Sequence, residues 1–229
     1  MADDVRIKVS VIMPCRDEVN TVGTCVDEAS AFLALRNISG EVIVVDNGSS
    51  DDSARVAQNH GAIVITEDKI GYGYAIRRGL DAASGSVMII ADCDATYDFD
   101  DMEKIIDLID DGFDMVIGDR FSGGIEKGAM TLSHRIGGVI LSRLARRRFR
   151  AGINDFHCGL RGISGDALGK LEFETGGMEF ATEMIAVAQK AQLRMTQTPV
   201  KLRKCGVYRR SKLNAVRDGW RHLKFILKQ

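Results

Sequence analysis

In 229 residues there are only two prolines, one tryptophan and four histidines, and no cysteine stands in a CxxC pair. With Pro14 and Pro199 the only prolines, and no Gly/Ser-rich or low-complexity stretch, nothing reads as a linker between separate domains. No apolar run approaches the roughly 18 residues of a membrane span. Cys15, Cys25, Cys93, Cys158 and Cys205 are scattered and odd in number. They suggest neither a disulfide frame nor a zinc site, and read as reduced thiols of a cytosolic protein. His60, His134, His157 and His222 are too dispersed to suggest a ligand set, so surface or packing roles are expected. The opening MADDVRIKVS begins acidic and runs straight into a strand, which is not the pattern of a signal peptide.

What is present is an ordinary globular mixture, 45% hydrophobic and 28% charged, enough for one sizeable core. The net charge of −1 hides a division. Residues 1–120 carry 24 acidic and 10 basic side chains, and residues 121–229 carry 8 and 21. One half suits a cation and the other an anionic partner, unless the two neutralise each other across an internal contact. We therefore expect a single domain over 1–229 with two functional halves, 1–120 and 121–229.

Apolar runs without period-two alternation (IKVSVIMPC, GEVIVVD, AIVITED, GSVMIIADCD, DMVIGDR) alternate with helical patterns up to Arg120. This implies an α/β fold with a mostly parallel sheet covered by helices on both faces. After Arg120 come a basic helix SHRIGGVILSRLARRRFR, a polar turn NDFHCGLRGIS, a helix around MEFATEMIAVAQKAQ, a strand RMTQTPVKLR and a basic tail. In such sheets ligands sit beyond the carboxyl ends of the strands, and Asp46 and Asp92 both fall there.

Asp92-Cys93-Asp94 places two carboxylates on one side of a strand end, the arrangement by which Mg2+ or Mn2+ is bridged to substrate phosphates. Asp98, Asp100 and Asp101 are more simply read as the acidic start of a helix. Asp46 can accept from a ribose hydroxyl or a base N–H, or cap the turn through Ser49, Ser50 or Asp51. GYGYA is not GxGxxG and does not follow the first strand, so it is no dinucleotide fingerprint.

Seven segments in order, VSVIMPCRDEVN, VIVVDNGSSDDS, ADCDATYDFDDM, GDRF, DFHCGLRGIS, EFATEM and RRSKL, resemble family 2 glycosyltransferases of the GT-A fold. The likeness is to the polyprenyl-phosphate (dolichol-phosphate) mannose and glucose synthases, and it covers about residues 8–224. The resemblance implies that Pro14, Arg16, Glu18, Asp46 and Cys93 line the nucleotide-sugar pocket and that Asp92 and Asp94 face the metal. It puts Arg120 and Lys212 near the donor phosphates, and Arg135, Ser142, Arg209 and Arg210 by the acceptor phosphate. Four positions depart from the family pattern: Asp17 for Asn, Asn47 for Asp, Thr96 for a metal-binding Gln, and Gly206 for an Arg that Arg203 or Arg209 could replace.

The implied reaction is inverting transfer of a hexose from a GDP-mannose or UDP-glucose type donor to a polyprenyl phosphate. Such an acceptor is already anionic near neutrality, with a second pKa of about 6, and needs no strong base. A hydroxyl acceptor would need one, and Glu183 or Asp155 could serve, although a buried anchor and a turn cap are their alternatives. The arginines of SRLARRRFR and the tail from Arg209 to Lys228, which also holds Trp220, Leu223, Phe225, Ile226 and Leu227, suit peripheral contact with the cytoplasmic face of an anionic membrane. Nucleic acid is not expected. A transferase for soluble acceptors and a non-catalytic nucleotide-sugar-binding module are the rival readings.

Overall fold

A computed structural model describes residues 8–206 and 215–228. Arg209, Arg210 and Lys212 lie outside the described residues. The elements run β1 (Val9–Cys15), α1 (Val22–Leu35), β2 (Gly40–Asp46), α2 (Ser53–Asn59), β3 (Ile63–Thr66), α3 (Tyr72–Ala82) and β4 (Val87–Ile90). There follow a 3-10 turn (Phe99–Asp101), α4 (Met102–Asp110), β5 (Met115–Asp119), α5 (Arg120–Gly123) and α6 (Leu132–Phe149). The chain then forms β6 (Arg161–Ser164), α7 (Gly165–Leu168), α8 (Phe180–Lys190), β7 (Met195–Pro199) and α9 (Ala215–Lys228).

Seven strands form one sheet in the order β3-β2-β1-β4-β6-β5-β7. β1 pairs in parallel with both β2 and β4, and β5 with β7, while β6 runs antiparallel between β4 and β5. The mostly parallel sheet follows from strands that are apolar on both sides. Val9, Val11, Ile12, Ile43, Ile89 and Ile90 have no exposed surface, and each such burial stabilises by about 1.5–3 kcal/mol. α3 packs on the face carrying Ile12 and Val45, where Gly79 allows the close approach. α4 buries Met102, Ile105, Ile106 and Ile109, one helical stripe, and meets Gly162 and Ile89 on the opposite face.

β6 corrects the sequence reading, which took NDFHCGLRGIS for a polar turn. The Arg161 side chain is buried, donating to the carbonyls of Cys158 and Ala181, so its charge lies inside a hydrogen-bonded cage and not in solvent. Part of the tail packs on the domain. Ile226 is buried and Phe225 packs on Phe149 with ring centroids 6.1 Å apart, which leaves Trp220 and Leu227 exposed on α9. No helix among the described residues is long and apolar enough to cross a membrane.

Candidate active site

Strand order reverses at β1, whose neighbours are β2 and β4, and the loops leaving these three strands meet at one edge of the sheet. Cys15 and Asp46 are paired residues at the ends of β1 and β2. The Asp17 amide donates to Ser49 Oγ at 3.0 Å, and Asp17 Oδ1 accepts from the Ser50 amide at 2.6 Å. The Glu18 amide donates to Ser53 Oγ at 2.7 Å. Asp46 Oδ1 accepts from the Ser49 amide at 3.3 Å, the turn-capping role. The chain around Pro14, Arg16, Glu18 and Asp46 is thereby tied into one rim of the sheet edge, and none of these four residues lines the cavity described next.

Asn47 ties in a fourth segment. Its Nδ2 donates to the carbonyls of Glu67 and Lys69, both at 2.9 Å, and its Oδ1 accepts from the Gly71 amide at 2.7 Å. An aspartate could make only the last of these bonds, which gives the departure from the family pattern a structural reason.

Beyond β4 the carboxylates alternate with Cys93 as the period-two geometry requires. The Cys93 thiol is buried and donates to the Pro14 carbonyl at 3.2 Å, and Thr21 Oγ1 donates to the Cys93 carbonyl at 2.9 Å. Cys93 therefore joins the β1 and β4 loops from behind, while Asp92 and Asp94 both face a cavity of about 690 Å³. Ala95 adopts a left-handed φ of 58°, a conformation that costs a non-glycine residue about 1 kcal/mol. The turn lets the Thr96 amide, at 3.1 Å, and its hydroxyl donate to Asp94 Oδ1. Tyr72 donates to Asp92 Oδ1 at 3.4 Å. Gly159 lies directly beneath the Asp92 carboxylate, its amide held by the Tyr97 hydroxyl at 2.8 Å. Asp98 caps the 3-10 turn by accepting from the Asp100 amide, and Asp101 accepts from the Lys201 amide at 3.0 Å. The crowd of carboxylates thus divides into two that face the cavity and others that hold local structure.

Arg120, also on the cavity, forms a two-pronged pair with Asp155, Nε to Oδ2 at 2.7 Å and Nη2 to Oδ1 at 2.8 Å. Burial alone would raise the Asp155 pKa, but Arg120 and His157 outweigh it and hold the carboxyl below its ordinary range. Asp155 is therefore the orienting partner of Arg120. Glu183 is buried at the start of α8, its oxygens accepting from the amides of Glu174 (2.8 Å) and Thr175 (3.0 Å). It is not among the cavity-lining residues, and its geometry is that of a loop anchor, not of a base.

Ser142 is buried inside α6, hydrogen-bonded to His157 Nδ1 and the Phe156 amide at 3.2 Å each, so it supports the wall and does not face an acceptor. Arg135 is exposed on α6 and does not line the cavity. Arg203, offered as a replacement for the absent arginine, is engaged with Glu28 at 2.7 Å and with the Tyr97 carbonyl. Lys204 reaches the cavity instead.

The dispersed histidines converge in the fold. His157 and His222 stand edge to face with centroids 4.5 Å apart, and Thr182 Oγ1 is 2.8 Å from His222 Nδ1. Both line the cavity, as does His134, while His60 pairs on the surface with Asp27. Burial drives the pKa of His157 well down and that of His222 to about 4, so both are neutral near pH 7. All five cysteines are free thiols, with burial pushing Cys25 and Cys158 up to about 12. Among the described residues no cluster of three His, Cys, Asp or Glu side chains could hold a metal, and the carboxylates lining the cavity are the neighbouring pair Asp92 and Asp94 together with Asp218. Such a hard oxygen pair suits Mg2+ or Mn2+ completed by water and phosphate oxygens.

Residues 10–172 match the sequence profile of the family described as Glycosyl transferase family 2. The chain belongs to this family. It is 34% identical over 98% of its length to a Haloferax volcanii protein named low-salt glycan biosynthesis hexosyltransferase Agl6, of which it spans about half (54%). It is 32% identical, over 72% of its length and 70% of the relative, to the dolichyl-phosphate hexose transferase of the same organism. Among solved structures, glucosyl-3-phosphoglycerate synthase from Mycobacterium tuberculosis in complex with Mn2+, UDP and phosphoglyceric acid superimposes with a TM-score of 0.76. That match has 20% identity and covers 96% of this chain and 78% of the other. The family 2 domain has the GT-A fold the sequence implied.

Proposed function

We propose that this family 2 domain transfers a hexose from a nucleotide-diphosphate sugar to a polyprenyl or dolichyl phosphate, with inversion, at the cytoplasmic face of a membrane. One observation carries the reading. A single cavity is lined both by Asp92, Asp94 and Arg120 and by Gly137, Gly138, Leu141 and Met130, so a charged donor and an apolar acceptor can meet in it. The rim formed by Pro14, Arg16, Glu18 and Asp46 would hold the nucleoside, as the family likeness implies.

Asp92 and Asp94 would hold Mg2+ or Mn2+, which when bound neutralises charge on the leaving nucleoside diphosphate. The names of the solved synthase complexes, which contain Mn2+ or Mg2+ with UDP, support this choice of ion. Arg120, oriented by Asp155, presents its guanidinium to the same charge without reorganising during the reaction. The carboxylates suggested as bases are both committed elsewhere, Glu183 to the 174–175 loop and Asp155 to Arg120. That arrangement suits an acceptor that arrives as an anion and needs no proton removed. The name of the dolichyl-phosphate relative supports the same acceptor class.

The test is incubation with radiolabelled GDP- and UDP-hexoses, Mn2+ and polyprenyl phosphate, followed by organic extraction. Label is expected in the organic phase with one donor, and its loss with EDTA. Label remaining aqueous with every donor would remove the lipid acceptor.

A further inference from the structure

Helix α9 brings two buried polar side chains to the cavity, Asp218 and His222, one turn apart on the same face. Neither has a part in the chemistry described so far. Gly219 lines the cavity beside them, and a Cβ added there would meet nothing within 4 Å. The two groups therefore stand next to open space.

His222 is tied down at one nitrogen only. Its Nδ1 is 2.8 Å from Thr182 Oγ1, and its ring stands against His157. Its Nε2 has no hydrogen-bond partner among the described residues and is not sealed from solvent, so it opens onto the cavity. The hydrogen bonds behind it continue inward. Thr182 Oγ1 is 3.5 Å from His157 Nε2, and His157 Nδ1 is 3.2 Å from Ser142 Oγ. Both rings are neutral near pH 7, so each link holds one hydrogen and the chain can be filled in either direction. One direction makes His222 Nε2 a donor to the cavity, and the other makes it an acceptor. A hydroxyl answers both, because it donates and accepts.

The chemistry of the pair selects the ligand. Asp218 accepts from Arg217 Nε at 3.2 Å and joins Asp92 and Asp94 on the cavity, so a phosphate placed against it meets like charge. A hydrocarbon chain would leave both polar groups facing a surface that cannot bond them. A sugar ring satisfies both. Position selects which sugar. His157, which carries the His222 ring, gives its amide to Asp155 Oδ1 at 3.2 Å, and Asp155 holds Arg120. The pair thus adjoins the residues that orient Arg120, whose charge faces the leaving diphosphate in the proposed reaction, and the hexose is attached to that diphosphate.

We propose that Asp218 and His222 bind hydroxyls of the donor hexose and set which hexose is accepted. The assignment rests on the nucleotide-sugar donor proposed above.

Calorimetric titration of the full chain in Mn2+, without acceptor, tests it with UDP, GDP, UDP-glucose, UDP-galactose and GDP-mannose. His222→Phe keeps a ring against His157 but offers the cavity no nitrogen. It should weaken the preferred nucleotide sugar about tenfold, the effect of one hydrogen bond, and leave the matching nucleoside diphosphate unchanged. That unchanged binding also shows that the variant is folded. His222→Gln, which returns an amide near the place of Nε2, should recover most of the loss. Asp218→Asn exchanges an acceptor oxygen for a donor, and should narrow the preference for that sugar over the other hexoses. Variants that bind the sugar donor as wild type does overturn the assignment. So does an equal loss for sugar donor and nucleoside diphosphate, the mark of a purely structural pair. Both results leave the donor reading standing, whereas wild type that binds none of the three nucleotide sugars removes that reading and the assignment with it.

Discussion

Gly159→Ala is the smallest change that should disable the proposed chemistry. A Cβ at this position would lie 2.6 Å from Asp92 Cγ and 3.1 Å from its Oδ1, with Oδ2 closer still. Ordinary contact begins near 3.4 Å, so the carboxylate's Cγ alone must withdraw by about 0.8 Å and its Oδ2 by more. The neighbours restrict where it can go, because Tyr72 holds Oδ1 from one side. A misplacement of about 1 Å in a reacting constellation costs roughly 10²-fold in rate, and the overpacking itself costs about 1–3 kcal/mol of stability. The assay is kcat against Mn2+ concentration, alongside a urea unfolding curve. Activity should fall about a hundredfold and need more Mn2+ for saturation. Gly152→Ala, whose Cβ meets open space on an exposed loop away from the cavity lining, provides the control. Wild-type rate and Mn2+ response in Gly159→Ala would show that the Asp92 position does not matter, and the reasoning would fail.

Asn47→Asp should destabilise the chain by about 2 kcal/mol, since a carboxylate would face two carbonyls it cannot bond, and an unchanged urea midpoint would argue against that role. Arg120→Lys keeps the charge but cannot fork onto Asp155, so about 3 kcal/mol of stability and most transfer should be lost, measured by thermal melting and initial rates. Gly137→Ala removes a mid-helix glycine from α6 and should raise stability by about 0.5–1 kcal/mol, read from the same melts. Burial lowers His222 from its usual 6.5 to about 4, so the unfolded chain takes up the proton first. Its stabilising contribution is full above about pH 6.5 and falls towards pH 4, by about 2 kcal/mol at pH 5. His222→Gln should diminish the loss between pH 7 and pH 5 in urea titrations, with His157 keeping its own share, and an undiminished pH dependence would refute the assignment.

The parallel half of the sheet was legible because Val9–Cys15, Gly40–Asp46 and Val87–Ile90 are short, apolar on both faces and separated by helical spacing. Asp92 and Asp94 were legible for the same reason, since a strand end fixes which residues share a side. β6 was not, because its four residues contain an arginine and a glycine, and only the tertiary cage around Arg161 makes them a buried strand. The histidines were missed because 65 residues separate His157 from His222, and the packing of α9 on α8 and α6 brings their rings together. Glu183 and Asp155 show a further limit. A carboxylate in a polar motif reads alike whether it takes a proton from substrate or accepts amides from its own chain, and only the hydrogen bonds decide.

The most direct test is the paramagnetic resonance of Mn2+ titrated with protein and nucleoside diphosphate. Wild type should quench the free-ion signal at one equivalent, and Asp92→Asn with Asp94→Asn should leave the ion free while the fold melts normally. Equal quenching by that double variant would contradict the account.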